Sequence, residues 1–167
     1  MCPEDTCHQQ IRPSTNIMST YLLAWNPKRA RTRSVTKMAE ALKRGEEVTS
    51  RWGCGQTQRP AAGDRFFLIR LGEPPKGIIG AGTIIKGSYE EPHWDPAKAH
   101  AGRTSRYVKI RFDTLLDPET EVILPREALD VPPFSNMHWS TQMSGIRIPD
   151  VVAKALSKAW RAFVGHP

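Results

Sequence analysis

The sequence predicts one α+β domain, built on a small mixed β barrel or strongly curved sheet with helices at its periphery. Three observations carry this. At 167 residues the chain can bury one sizeable core and is too short for two full domains. Its apolar residues fall mostly in short runs or alternations closed by Gly, Pro, Asn or Asp, the pattern of strands and turns. Only two stretches carry the i, i+3, i+4, i+7 apolar spacing of an amphipathic helix.

The elements follow in order. Residues 1–17, MCPEDTCHQQIRPSTNI, are polar and aperiodic and precede a second methionine, Met18. They are expected to form a disordered leader, with the domain occupying 18–165. Tyr21 to Trp25 suit a short buried strand that ends at the Asn26-Pro27 turn. Val35, Met38, Ala39 and Leu42 form the face of a short helix capped by Ser34 and stopped by Gly45. Ser50 to Gln58, SRWGCGQTQ, reads as a loop. GDRFFLIRLG and KGIIGAGTIIKG read as neighbouring strands joined through Glu73-Pro74-Pro75, and Gly77, Gly80 and Gly82 mark a close approach of backbone or ligand. SRYVKIRFDTLL alternates, with Val108, Ile110 and Phe112 on one side and Tyr107, Lys109 and Arg111 on the other. EVILP gives another short strand. The last segment is a helix with Val152, Leu156, Ala159, Trp160 and Phe163 on one face. Two long irregular segments, SYEEPHWDPAKAHAGRT and DVPPFSNMHWSTQMSGI, remain; such loops in a compact domain are usually functional or disordered, and their tryptophans argue against disorder.

Composition narrows the function. Lys and Arg number 24 against 17 Asp and Glu, a net charge of +7 with a pI near 9.6, which favours a polyanionic partner. No stretch has the roughly 18 apolar residues of a membrane span, and the N-terminus lacks the layout of a secretory signal, so a cytoplasmic protein is expected. Three cysteines do not suggest a disulfide framework. Cys2, Cys7 and His8 resemble part of a zinc site, but no second pair completes the four ligands of a closed one. No metal or other cofactor is predicted. Cys54 on its Gly-flanked loop could act as a nucleophile with His93 or His138 as base, but nothing nearby marks a reactive thiol. GIIGAG lacks the helix that a phosphate-cradling loop opens onto. No catalysis is predicted.

Tryptophan is the informative residue. Trp25, Trp52, Trp94 and Trp139, four of the five, lie at strand ends or in loops beside polar groups: Asn26, Gln56 and Gln58, His93 and Asp95, Gln142 and Ser144. Rings buried as a small core would explain any one of them. Taken together they fit a pocket for a flat heterocycle, where stacking holds the ring and hydrogen bonds read its rim. Lys28, Arg29, Arg31 and Arg33, then Arg51 and Arg59, then Lys98, Arg103 and Arg106 flank the same segments. They predict a cationic rim for a nucleic-acid backbone.

TYLLAWNPKR, RWGCG, GDRFFLIRLGEPPKGIIGAGTI, YEEPHWD, YVKIRFDTLLDP and HWSTQMSGIRIP occur in an order and spacing that resembles the EVE domain, a PUA-like relative of YTH domains. The likeness spans Tyr21 to Trp160 and is nearest to EVE domains that precede HNH nucleases in modification-dependent restriction enzymes. It implies a PUA-like twisted barrel of about five or six strands, and a base pocket for 5-methyl- or 5-hydroxymethylcytosine. By position it implies Trp52 as a cage ring with the Cys54 backbone at the base edge, and Trp25 and Asn26 as the pocket floor. Tyr89 and Trp94 would form a further wall, and Trp139, Gln142 and Ser144 a pocket edge. Ala30 and Arg31 stand where relatives carry an aromatic residue. No HNH segment occurs in the 167 residues, so either a stand-alone reader or a piece lacking its nuclease effector is expected. The first reading is therefore a reader of a flipped modified base in double-stranded DNA. The alternatives are an RNA-binding module for N6-methyladenine or a modified tRNA base, and a small enzyme acting through Cys54.

Overall fold

The computed structural model describes residues 18–29, 34–141 and 143–165. The segment 1–17 with Cys2, Cys7 and His8, and also Ala30, Arg31, Arg33 and Gln142, lie outside the described residues. The fold is α+β. The elements are β1 (Thr20–Trp25), α1 (Val35–Lys43), β2 (Thr49–Gly53), β3 (Arg65–Arg70), β4 (Gly77–Pro92), α2 (Pro96–His100), β5 (Thr104–Leu115), β6 (Leu124–Pro125), β7 (Ile146–Ile148) and α3 (Asp150–Val164). Among the described residues, seven strands form one mixed sheet in the order β2-β5-β4-β3-β1-β7, with β6 paired to β4. The β1–β3 pair is parallel and the others are antiparallel.

The central strands are apolar without a break because both faces are covered. Tyr21, Leu23 and Trp25 of β1 and Phe66 and Leu68 of β3 enter a first core with Val35 and Ala39 of α1. Leu22, Phe67 and Ile69 enter a second core with Val152, Ala153, Leu156 and Trp160 of α3. The Ser34 hydroxyl accepts the Lys37 N–H (3.3 Å) at the start of α1, as the sequence predicts. Phe163 lies at the rim of its helix face, stacked on Trp160 at 6.1 Å.

The structure departs from the sequence reading in four places. SRWGCG is not all loop: Thr49–Gly53 is β2, paired to β5 with Trp52 opposite Val108. The irregular SYEEP is the outer half of β4, carried past the core by pairing with β5 as far as Pro92. EVILP contributes only Leu124–Pro125. Ile146–Ile148, at the end of the second irregular segment, is β7 on β1. The glycines of β4 do mark close approach, and the neighbour is backbone: a methyl on Gly77 or Gly82 would strike the carbonyl of Leu124 or Arg111.

Strand pairing does not close the sheet, and its ends are β2 and β7. They nevertheless touch. Gly145, just before β7, has φ +90° and lies so close to the Cys54 carbonyl, just after β2, that a methyl there would overlap it. A methyl on Gly55 would lie 2.7 Å from the Ser144 carbonyl oxygen. Among the described residues no helix is long and apolar enough to cross a membrane.

Candidate functional site

The site forms where β7 leaves β1. The two strands pair only over Thr20–Leu22 and Ile146–Ile148, and the Gly145 N–H donates to the Leu22 carbonyl at 2.9 Å. Beyond that point side chains finish the edge of β1. The Ala24 N–H donates to Ser144 Oγ (3.1 Å) and the Ala24 carbonyl accepts from Trp52 Nε1 (3.0 Å). With its edge satisfied in this way β1 needs no further strand, and a cavity of about 600 Å³ opens between β1 and β2. Such a volume is within the range of small-molecule sites, about 300–1,000 Å³.

Three tryptophans line it. Trp25 sits opposite Arg70 in the β1–β3 register, with the buried Arg70 guanidinium 5.6 Å from its ring. Arg70 Nη1 donates to the carbonyls of Glu73 (3.1 Å) and Pro75 (2.9 Å), so the cation beneath Trp25 also ties down the turn leading into β4. Trp52 is buried edge-to-face against Phe112 at 6.2 Å; its indole N–H is committed to Ala24, so it offers the cavity a surface and no donor. Trp94 is 47% exposed, tilted against His93 at 5.4 Å. The buried Tyr107 completes the wall: its hydroxyl donates to the Pro92 carbonyl (3.1 Å) and the Arg51 guanidinium lies 4.0 Å over its ring.

Polar groups stand among these rings. Asn26 Oδ1 accepts the Lys28 N–H at 2.9 Å, and its amide packs on Gly72, which has φ +90° and no room for a methyl. Thr141, Ser140 and Ser144 come from the loop before β7. The Cys54 N–H donates to the Arg106 carbonyl at 3.0 Å. Because bonded and non-bonded pairs alternate along an antiparallel ladder, the N–H and C=O of Gly53, opposite Tyr107, turn away from β5 toward the gap.

Among the described residues the lining holds Arg29, Arg51 and Lys76 and no carboxylate. Arg51 is paired with Glu91 at 2.8 Å. Among the described residues Arg29 and Lys76 take part in no ion pair. Of the other predicted rim cations, Lys28, Arg59, Lys98 and Arg103 are exposed outside the lining. Arg106 is half-buried and donates to Ser88 Oγ at 3.3 Å.

Five of the predicted pocket residues, Trp25, Asn26, Trp52, Trp94 and Ser144, thus meet at one cavity. Three do not. The Cys54 backbone is not presented to the cavity, since its N–H is bonded to Arg106 and its C=O is covered by Gly145; Gly53 holds that position instead. Burial pushes the Cys54 thiol above its ordinary pKa, against the lowering effects of Ser88 and Arg106. Tyr89 packs on Tyr107, centroids 6.2 Å apart, instead of lining the site. Trp139 is 1% exposed in the second core, its indole N–H donating to the Phe134 carbonyl at 2.8 Å. It is core where a wall was expected, because the loop carrying it folds over the α3 side of the sheet. Tyr107 and Lys76 are lining residues the sequence reading missed. Tyr107 follows the alternation of an outward strand position, and the wide turn that brings Lys76 inward leaves no periodic signal. Among the described residues no three His, Cys, Asp or Glu side chains are grouped to hold a metal ion.

Fold and cavity together define a small α+β domain with one mixed sheet and an aromatic, cationic opening at its edge. No family model and no curated protein matches the sequence. Solved structures do share the fold. A hypothetical protein from Leishmania major is 14% identical with a TM-score of 0.60, over 85% of this chain and 94% of that one. A protein from Pseudomonas syringae is 17% identical with a TM-score of 0.59, over 84% and 98%. Human THYN1, in complex with DNA containing 5-methylcytosine, is 16% identical with a TM-score of 0.58, over 84% and 96%. Identities this low establish a common fold and nothing finer.

Proposed function

We propose that this chain is an EVE-type reader that accepts one flipped modified base, 5-methyl- or 5-hydroxymethylcytosine, from double-stranded DNA into the cavity between β1 and β2. The observation that carries the reading is the cavity itself: among the described residues its lining has three indole rings, a tyrosine and three cations with no carboxylate. Flipping a base out of a duplex costs a few kcal/mol. Stacking on an aromatic ring recovers about 1–3 kcal/mol per base, and phosphates held by Arg29 and Lys76 add a salt-dependent share. The outward N–H and C=O of Gly53 and the Asn26 amide are the groups placed to read the base edge. The fold shared with a protein whose structure contains 5-methylcytosine DNA supports the same reading. In it the chain breaks no bond, and an HNH-type nuclease would supply cleavage.

The test is equilibrium binding at fixed salt to one duplex carrying cytosine, 5-methylcytosine or 5-hydroxymethylcytosine at a single site, with methylated RNA and tRNA as competitors. A modified duplex is expected to bind at least about tenfold tighter than the unmodified one, a difference of about 1.4 kcal/mol. Trp94→Ala is expected to remove most of that preference, and its exposed position makes it a safer probe than the buried Trp52. Equal affinity for the three duplexes overturns the proposal, and displacement by RNA at lower concentration transfers it to RNA.

A further inference from the structure

One exposed apolar side chain beside the cavity stands on a backbone fixed by hydrogen bonds on both flanks. Met143 is 57% exposed, between Thr141 and Ser144, both of which line the cavity. The buried Thr141 hydroxyl accepts the Met143 N–H (3.0 Å) and donates to the Met143 carbonyl (3.1 Å), so one side chain clamps both backbone groups of Met143. On the other flank Ser144 Oγ is fixed by the Ala24 N–H and the Gly145 N–H by the Leu22 carbonyl. The turn is anchored on both sides and presents an unbranched, polarizable thioether to solvent. A polar side chain there would be better hydrated.

A base drawn into the cavity leaves an empty place in the duplex, and proteins that unstack DNA insert apolar wedges, methionine among them, between base steps. We propose that Met143 is the wedge that occupies the stack vacated by the base. This deepens the reader function and rests on it. Trp94 has a different task, since it lines the cavity and meets the base itself.

The experiment compares the intact chain with Met143→Ala, Met143→Leu and Trp94→Ala on two probes, a duplex and a single strand of the same sequence, each with one 5-methylcytosine. A single strand has no partner stack to fill. Met143→Ala is expected to bind the duplex about tenfold more weakly and the single strand as the unaltered chain does. Met143→Leu should restore duplex binding, while Trp94→Ala should weaken both probes. Equal loss on both probes with Met143→Ala, no loss on either, or a duplex-only loss that follows Trp94 instead, overturns the wedge and leaves the reader intact. If the unaltered chain binds the modified duplex no better than the unmodified one, the reader itself fails and the wedge with it.

Discussion

Gly53 at the end of β2 and Gly145 just before β7 do opposite things. At Gly53 a methyl group would meet nothing within 4 Å; this glycine keeps a backbone edge open. At Gly145, with φ +90°, a methyl would run into the Cys54 carbonyl; this glycine lets the ends of the sheet touch. Gly53→Ala is therefore expected to leave unfolding free energy within about 0.5 kcal/mol while weakening modified-duplex binding, because the methyl projects where the base edge would come. Gly145→Ala is expected to cost about 2 kcal/mol or more, from the left-handed backbone and the clash together. Denaturant titration with duplex binding on the same samples checks both; a destabilised Gly53→Ala would mean its openness is structural. The two glycines also show what the sequence reading could reach. That bare backbone, an aromatic ring and amides gather near Trp52 is legible in SRWGCGQTQ. Whether Gly53 or Cys54 faces the gap depends on the phase of a ladder with β5, some fifty residues away. The five tryptophans divide for a similar reason: polar neighbours surround both Trp94 and Trp139, and only the path of each loop decides which ring is exposed.

The gap between β1 and β2 is an element-scale feature, made by stopping the β1–β7 ladder early. β1, β3, the inner part of β4, β5 and both longer helices are legible because their apolar periodicities bury faces on known sides. β2 is not, since five residues ending in glycine give too short an alternation, and the outer half of β4 is not, since it pairs beyond the core with half-exposed side chains. Ser144 is the hinge of this arrangement. Its Oγ stands in for a strand carbonyl at the Ala24 N–H, so Ser144→Ala should destabilise the protein by about 1 kcal/mol, the net value of one such bond. The diagnostic is local: hydrogen exchange at the Ala24 amide should accelerate strongly, while Leu22, whose partner is β7, stays protected. Unchanged exchange at Ala24 would show that the strand edge is held by something other than this hydroxyl.

Across the whole molecule, three weak acids, the buried Cys54 and Tyr21 and the half-buried Tyr89, share one direction. Burial raises the pKa of Cys54, Tyr21 and Tyr89, and the neighbouring Asp64 and Glu91 add to it for Tyr21 and Tyr89 respectively. In the unfolded chain these groups ionise near their ordinary values of 9.0 for the thiol and 10.0 for the phenols. The folded state holds its protons longer, so above pH 9.0 the unfolded state binds fewer protons and stability falls as pH rises. Urea unfolding between neutral pH and about pH 10 should show this loss, with the first part of it reduced in Cys54→Ala; a flat profile would contradict it.

The positive charge acts at the same scale. A net +7 attracts any polyanion, so charge alone cannot make the protein selective, and its effect must be separable from that of the rings. Lys76 offers the separation: it lines the cavity without an ion pair among the described residues, whereas Arg51 is held by Glu91 and Tyr107, so its removal would also disturb the wall. If Lys76 meets one phosphate, Lys76→Ala should lower the slope of log affinity against log salt by about 0.9. It should weaken modified and unmodified duplexes by the same factor, leaving their ratio intact. Affinities of both duplexes over a salt series decide it. A changed ratio with an unchanged slope would place the Lys76 ammonium on the base instead of the backbone, and would move the reading edge of the site from Gly53 to the turn before β4.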